Sequence, residues 1–578
     1  MTERQTLGRR SVLKLGGALF LTPAVSTVGG AESRHLDEKS MGLLTQIGRY
    51  ESGVYNEDAA EIPTYDARTE RAFVVDANET SVDVLDISDP SNPTLVDSIR
   101  ITDVWQNPGP ANSAAARDGV VAVAVAADPE TEPGRIFFYD TKSLDLLNSV
   151  TVGFLPDMVT FTPDGESLLV ACEGEPNDSY DIDPPGSVNI IDVSRGVQNV
   201  DVATAGFQKF NSEKEALRKK GVLIYGPNAT VAQDLEPEYI AVSADSKTAY
   251  VILQENNAIA IVDIAQASVR DIVPLGIKNF SLPRNALDAI DDKRIDIKPQ
   301  PLFGVYQPDS IDAYTVEGET YLVTANEGDP RGYSGFTEFG TLIEENGTFG
   351  VDTNDDGRID VPIDESRFDR CTLSSLVGLR VSSIFGDVND DGILEELYIY
   401  GGRSFAIWKP TDDGIDLVFE SGDMIESTIA DLISKGKLPK AAFNTGSDSI
   451  QLDEESPKAG PQPEGVAVGT VDGTDYAFMG LEEVGGVMVF DISTPQKPVF
   501  VQYVNNRIFD FTELGLTGPN PNLAEALESG ELAAGAAGDL APEGLTFVPA
   551  EDSPTDNSLL IVANELSGTT TIYEATKI

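Results

Sequence analysis

Two short stretches carry oxygen-bearing side chains at the spacing that a hard cation requires. Asp352-Thr-Asn354-Asp-Asp356-Gly357-Arg-Ile-Asp360 and Asp387-Val-Asn389-Asp-Asp391-Gly392-Ile-Leu-Glu395 share the pattern D-x-N-x-D-G-x-x-[DE]. Oxygens at the first, third, fifth and ninth positions wrap a calcium ion, and the glycine permits the sharp turn. The expected ligands are Asp387, Asn389, Asp391 and Glu395 in one loop, and Asp352, Asn354, Asp356 and Asp360 in the other. Asp/Gly turns also arise by chance in an acidic chain, but two loops with full spacing favour calcium in a structural role. No helical pattern flanks Asp387–Glu395, so this loop is expected to resemble the calcium hairpins of integrin-like propeller blades.

A second set of acids recurs with a repeating unit. Asp157, Glu238, Asp309, Glu464 and Glu543 each follow a proline just ahead of an apolar run. Further acids close the next run: Glu173 and Glu175, Glu255, Glu327 and Asp329, Glu482, and Glu565. In a propeller the first strand of every blade lines the axis, so equivalent positions form a ring. If both sets share one mouth, the crowded carboxylates must bind cations, take up protons or stay hydrated. All-oxygen sites suit calcium, magnesium or manganese rather than zinc or copper. The plainer reading is that these acids cap turns and solvate a rim.

Several chemistries are excluded. The only histidine is His35, which rules out a Ser-His-Asp or Cys-His device. There is no Gly-rich phosphate loop, GxGxxG or HExxH. Any hydrolysis would be metal-assisted, with Arg331 and Arg403 as candidate phosphate clamps beside their structural role as ion-pair partners. Cys172 and Cys371 lack metal-ligand spacing, and either one disulfide or two separate thiols is compatible with them.

The elements that position these residues are repeated strands. Pro463–Ser493 shows the unit: a Pro-acid-Gly turn, then apolar runs of four to seven residues broken by Asp/Gly turns. Similar units begin at Pro156, Pro237, Pro308 and Pro542, with weaker copies at Pro63, Val120 and Arg380. About eight copies imply an all-β propeller, with seven blades as the alternative. Residues 62–578 form this domain, behind a lead-in over 32–61 that is expected to supply the outer strand of the last blade. Four insertions are expected between repeats, over Phe207–Gly221 (a helix with a Ser212/Glu215 capping box), Phe280–Gln300, Gly335–Arg380 and Ala430–Ser456.

The chain carries 96 acidic and 40 basic residues, a formal net charge of −56. The acids are scattered, as on a halophile's solvating surface, and they exclude nucleic acid and anionic membrane as partners. Gly8-Arg9-Arg10-Ser11 before the apolar run Leu15–Val28 reads as a twin-arginine export signal over 1–31. No later run is long enough to span a membrane. Sequons at Asn78, Asn177, Asn228, Asn279 and Asn346 permit glycosylation after export.

Ala325–Tyr333 (ANEGDPRGY), Gly386–Trp408, Ile224–Ser243 (IYGPNATVAQDLEPEYIAVS), Pro463–Ser493 and Pro542–Glu574 together resemble the choice-of-anchor I family. That family includes exported proteins labelled alkaline-phosphatase-like, and the chain also resembles mesenchyme-specific cell-surface glycoproteins of biomineralising embryos. The resemblance implies an extracellular or cell-surface, calcium-associated propeller acting as a binding or structural module. A metal-dependent phosphoesterase is the alternative. Expected partners are divalent cations, with a phosphorylated small molecule or a surface glycan or protein behind them. No nucleophile is implied. The family's variable anchors have no counterpart after Lys577-Ile578, so a released or non-covalently held protein is expected.

Overall fold

In the computed structural model, residues 42–412, 414–518 and 521–577 are described. The export signal and His35 lie outside the described residues. Seven four-stranded antiparallel sheets account for most of the chain. Blade one spans Pro63–Arg100, blade two Pro108–Phe154, blade three Pro156–Gly206 and blade four Pro237–Pro274. Blade five pairs Ile311–Val316 and Glu319–Asn326 with Ser404–Thr411 and Gly414–Glu420. Blade six spans Pro463–Val504, and blade seven takes Pro542–Val548, Ser558–Asn564 and Thr569–Ala575.

The fourth strand of blade seven comes from the other end of the chain. Leu44–Glu51 pairs antiparallel with Thr569–Ala575, in a register running from Leu44↔Ala575 to Glu51↔Thr569. The first strands are neighbours in order round the axis, and Pro542–Val548 touches Pro63–Asp66 to close the ring. Closure covers inner edges that would otherwise stay unpaired. The sheet is an all-β propeller of seven blades, with the lead-in strand where the sequence placed it.

Burial explains why the sequence reads as continuous apolar runs rather than clean alternation. Middle strands such as Val120–Ala127 (VVAVAVAA) and Ala258–Asp263 are covered on both faces by adjacent blades. Outer strands such as Thr94–Arg100 are mostly exposed, Leu95 and Val96 included. Polar groups lace the inner strands together: Val159 N–H donates to Ser113 Oγ at 3.3 Å, and Val468 N–H to Asp312 Oδ2 at 2.8 Å.

Three expectations are corrected. The eighth copy does not exist: Arg380–Ser382, Tyr398–Tyr400 and Ser404–Thr411 belong to three different sheets. The Gly335–Arg380 insertion lies inside blade five, between its second and third strands, not between repeats. Residues 327–403 thus form an excursion with its own four-stranded sheet and an apolar core around Leu342, Phe349, Leu373 and Leu394. Ser212 sits within a 3₁₀ segment, Gln208–Glu213, and the following helix Lys214–Lys220 has no side-chain cap. The capping box of this region joins Thr230 and Gln233 instead. Gly221 does end the helix, with φ of 109°.

Cys172 is buried and Cys371 exposed, and both are free thiols. Among the described residues no helix is long and apolar enough to cross a membrane.

Candidate functional site

Five blades begin with the same local distortion, blade two at Pro108 and four whose proline is followed by an acid. Proline pairs with the end of the second strand in Pro156↔Cys172, Pro237↔Leu253, Pro463↔Leu481 and Pro542↔Asn564, and the register then slips. The two slipped residues are the acid and its successor, so each acid sits in a β-bulge, a device that re-aims a side chain. Leu155, Gln462 and Ala541, just before three of these prolines, have left-handed backbone, as does Gln307 before Pro308 of blade five. The pairing also puts the acids that follow the second strand at the same mouth. Close packing of backbones completes the arrangement: a Cβ on Gly465 would lie 2.2 Å from the Glu543 carbonyl oxygen. Only glycine fits there.

Some of these acids converge in separate groups between blades. In three buried or half-buried groups, every carboxylate offers an oxygen within 4.8 Å of the others. Asp309, Glu327 and Glu464 meet at the boundary of blades five and six, and all three are buried. Glu175, Glu236 and Glu255 meet between blades three and four, also buried. Asp58, Glu61 and Glu565 meet between blades seven and one. Among the described residues Asp157, Glu238, Asp329, Glu482 and Glu543 belong to none of these triads, although Glu238 and Glu543 are buried nearby.

Amides and a tyrosine fix the triads. Glu327 accepts from Gln254 Nε2 at 2.7 Å and from Gln462 Nε2 at 2.8 Å, one on each oxygen. Tyr333 OH donates to Glu175 Oε1 at 2.5 Å. Tyr333 belongs to a small hairpin of the blade-five excursion, and Ser334 ties that hairpin to Asp178 through a bond of 2.9 Å. The hairpin therefore crosses from blade five to the blade-three loop beside the Glu175 triad.

Neither arginine is placed to clamp a phosphate. Arg331 is 3% exposed; its guanidinium meets Glu236 at 3.0 Å, Glu338 at 3.3 Å and Asp234 at 3.5 Å. Burial pushes the Glu338 carboxyl up to about 7 against the pull of Arg331. Asp234 is likewise raised, by burial. Arg403 is 2% exposed; its Nη atoms donate to the carbonyls of Asp288, Ser456 and Lys458 and to Glu426 Oε1. Both side chains are internal braces.

The two loops with calcium spacing differ. Asp387, Asp391 and Glu395 bring ligand oxygens within 4.8 Å of one another. Asp387 is held by Gly392 N–H at 2.6 Å and Asp391 N–H at 3.1 Å, which keeps its carboxyl below the usual range. Asn389 Nδ2 donates to Glu395 Oε1 at 2.5 Å, so turning the amide over would present its oxygen to a cation. The donor set is all oxygen, which fits a hard divalent ion. The loop is not a blade hairpin, because Arg380–Ser382 and Tyr398–Tyr400 lie in different sheets. In the other loop the side chains satisfy the loop's own backbone: Gly357 N–H bonds Asp352 at 2.7 Å and Thr353 N–H bonds Asp360 at 2.9 Å. Asn354 and Asp356 accept from Asp356 N–H and Arg358 N–H. Among the described residues these acids form no converging group of three.

Sequence reasoning did not single out Asp58, Glu61 or Glu236. Glu236 precedes Pro237 where other blades have a neutral residue, and the run Glu236-Pro237-Glu238 was the available signal.

Fold and site together define a closed seven-bladed propeller with carboxylate triads lodged between blades at one mouth. The chain belongs to the choice-of-anchor I family, matching the Choice-of-anchor I domain over residues 61–495. It is 29% identical over 321 residues to the mesenchyme-specific cell surface glycoprotein of Strongylocentrotus purpuratus, covering 50% of this chain and 40% of that one. It is 25% identical over 199 residues to Gigasin-3a of Magallana gigas, covering 34% of this chain and 63% of that one. The chain thus spans less than two thirds of either relative. Among solved structures, Kuenenia stuttgartiensis hydrazine synthase superposes with a TM-score of 0.41 at 12% identity, over 90% of this chain and 98% of that one. The Neurospora crassa Pan2 WD40 domain gives 0.40 at 10% identity, over 93% and 96%. The propeller assignment rests on the strand pairing itself.

Proposed function

We propose that this chain is exported by the twin-arginine route and works outside the cell or at its surface as a calcium-binding propeller, in a binding or structural role. The observation that carries this reading is the convergence of Asp387, Asp391 and Glu395 in a loop of calcium spacing. The name of the Strongylocentrotus relative, a cell surface glycoprotein, supports the location. The interblade triads are second cation sites on this reading, suited to calcium, magnesium or manganese. High acidity suits a molar-salt medium.

A metal-dependent phosphoesterase is the second reading, favoured by the all-carboxylate Asp309–Glu327–Glu464 group, which could hold an ion that activates water. It must do without Arg331 and Arg403. One experiment separates the two. Mature protein in molar salt is stripped with chelator and titrated with calcium, magnesium and manganese, following melting temperature and turnover of phosphate mono- and diesters. A calcium-dependent rise in melting temperature without turnover supports the surface module. Metal-dependent turnover that disappears in Glu327→Gln/Glu464→Gln supports the enzyme, and indifference to every cation sinks both.

A further inference from the structure

The chain has two tryptophans: one is fully buried, and the other packs against the core of blades one and two while still lining a surface cleft. Trp408 is 2% exposed, with its Nε1 donating to Thr324 Oγ1 at 2.9 Å. Trp105 is half-buried, next to Val104, which is 45% exposed. It lines a cleft of about 690 Å³ between the turn joining the second and third strands of blade one, at residues 77–80, and the segment entering blade two. The cleft opens at the same mouth as the triads, beside the two blades whose entry prolines, Pro63 and Pro108, are followed by no acid.

The walls are rigid. Trp105 stacks obliquely on Phe137, with ring centroids 5.8 Å apart, and the Arg135 guanidinium lies 5.3 Å from the indole centroid. Trp105 N–H donates to the Ile101 carbonyl at 2.9 Å, and Thr80 Oγ1 to the Gly109 carbonyl at 3.2 Å. Thr80 and Asn107 both hold left-handed backbone, with φ of 48° and 55°. The Asn107 conformation is the one that also precedes Pro156, Pro463 and Pro542 where their blades begin.

The chemistry of the lining is specific in type. Asn78, Gln106 and Asn107 offer planar amides that both donate and accept, while Glu79 and Asp128 offer acceptors only. Among the described residues no lysine or arginine lines the cleft and two carboxyl side chains do, which disfavours an anionic ligand. Its volume lies in the range of small-ligand sites. Hydroxyl-rich ligands match it: hydroxyls reach amides and carboxylates while a ring's C–H face lies along the accessible part of the half-buried indole. We propose that this cleft binds a neutral carbohydrate chain, and that Trp105, Gln106 and Asn107 are its contact residues. The proposal does not depend on calcium binding at the Asp387 loop.

The test uses the full chain in molar salt, prepared without glycosylation so that no glycan at the Asn78 sequon competes. Neutral gluco- and N-acetylglucosamine oligosaccharides, with oligo-uronates as the anionic arm, are titrated by calorimetry and by intrinsic fluorescence. Trp105 then reports against the buried Trp408. The expected result is saturable binding of a neutral oligosaccharide with a shift in emission, weakened about tenfold or more by Trp105→Ala. Gln106→Ala, at an exposed position, should also weaken binding while leaving the melting temperature unchanged. The proposal is overturned if no neutral oligosaccharide binds saturably, if uronates bind more tightly, or if both variants bind as the parent does.

Discussion

Gln254 Nε2 donates to Glu327 Oε2 at 2.7 Å, joining blade four to blade five. The next residue along, Glu255, belongs to the Glu175–Glu236–Glu255 triad, whereas Glu327 belongs to the Asp309–Glu327–Glu464 triad. One peptide unit therefore links two buried clusters of carboxyl groups.

Charge removal at the second triad should act oppositely with and without metal. Glu327→Gln with Glu464→Gln relieves like-charge crowding, so the chelated protein should melt higher than the parent. With magnesium, manganese or calcium present, the parent should gain and the double variant should not. Calorimetric melting curves with and without cation would show the crossing, and parallel curves would remove the triad as a cation site.

The Asp387 loop should account for one calcium ion. At free calcium a hundredfold above the dissociation constant, a site of this kind stabilises by about 2.7 kcal/mol. Asp387→Ala should abolish that gain and lower the bound stoichiometry by one. Asp356→Ala, in the loop whose acids bond their own backbone, should change the stoichiometry less. Equilibrium dialysis with calcium measures both.

Arg331→Met tests whether that guanidinium is a brace. It would leave Asp234, Glu236 and Glu338 buried without their shared cation, at a cost of about 3–5 kcal/mol, enough to prevent folding. Adding Glu236→Gln and Glu338→Gln should restore part of the loss. A well-folded Arg331→Met single variant, seen in its near-ultraviolet dichroism, would refute the structural role.

Part of the pH dependence follows from Glu338, whose carboxyl is raised to about 7 by burial, alongside Asp183 and Asp288, which are raised in the same way. A group protonated more readily in the folded state adds stability below its unfolded pKa, and that contribution fades as pH climbs through the folded value. In chelator, stability should therefore fall between pH 5 and 8, by up to about 3 kcal/mol from Glu338. Glu338→Gln should flatten part of that slope, as denaturant titrations at several pH values would show. An unchanged slope would mean that Glu338 ionises normally.

Much of this was visible in the sequence because the recurring Pro-acid pair is itself a structural device. Proline, a left-handed residue before it and a bulge after it mark the start of a blade, so Glu464 and Glu543 could be placed before any coordinates. The excursion in blade five could not be. Its strands obey the same apolar grammar as blade strands, and only pairing of Glu319–Asn326 with Ser404–Thr411 reveals that the chain left the sheet and returned. The triads were half legible for a related reason: Glu236 and Glu61 lie just outside the repeat positions, and nothing local says that they fold back beside Glu255 and Glu565. Burial of Arg331 was likewise a long-range fact, set by Asp234 and Glu236 from blade four's approach.

The closing strand also decides how the ring meets mechanical force. Leu44 is paired with Ala575 at one end of that ladder, and Glu51 with Thr569 at the other. Tension between a tether ahead of Leu44 and a load beyond Ala575 pulls the two strands apart from the same end. Hydrogen bonds then break one pair at a time, like a zip, rather than all together in shear. The other six blades take all their strands in chain order, so this ladder is where such tension would first be borne.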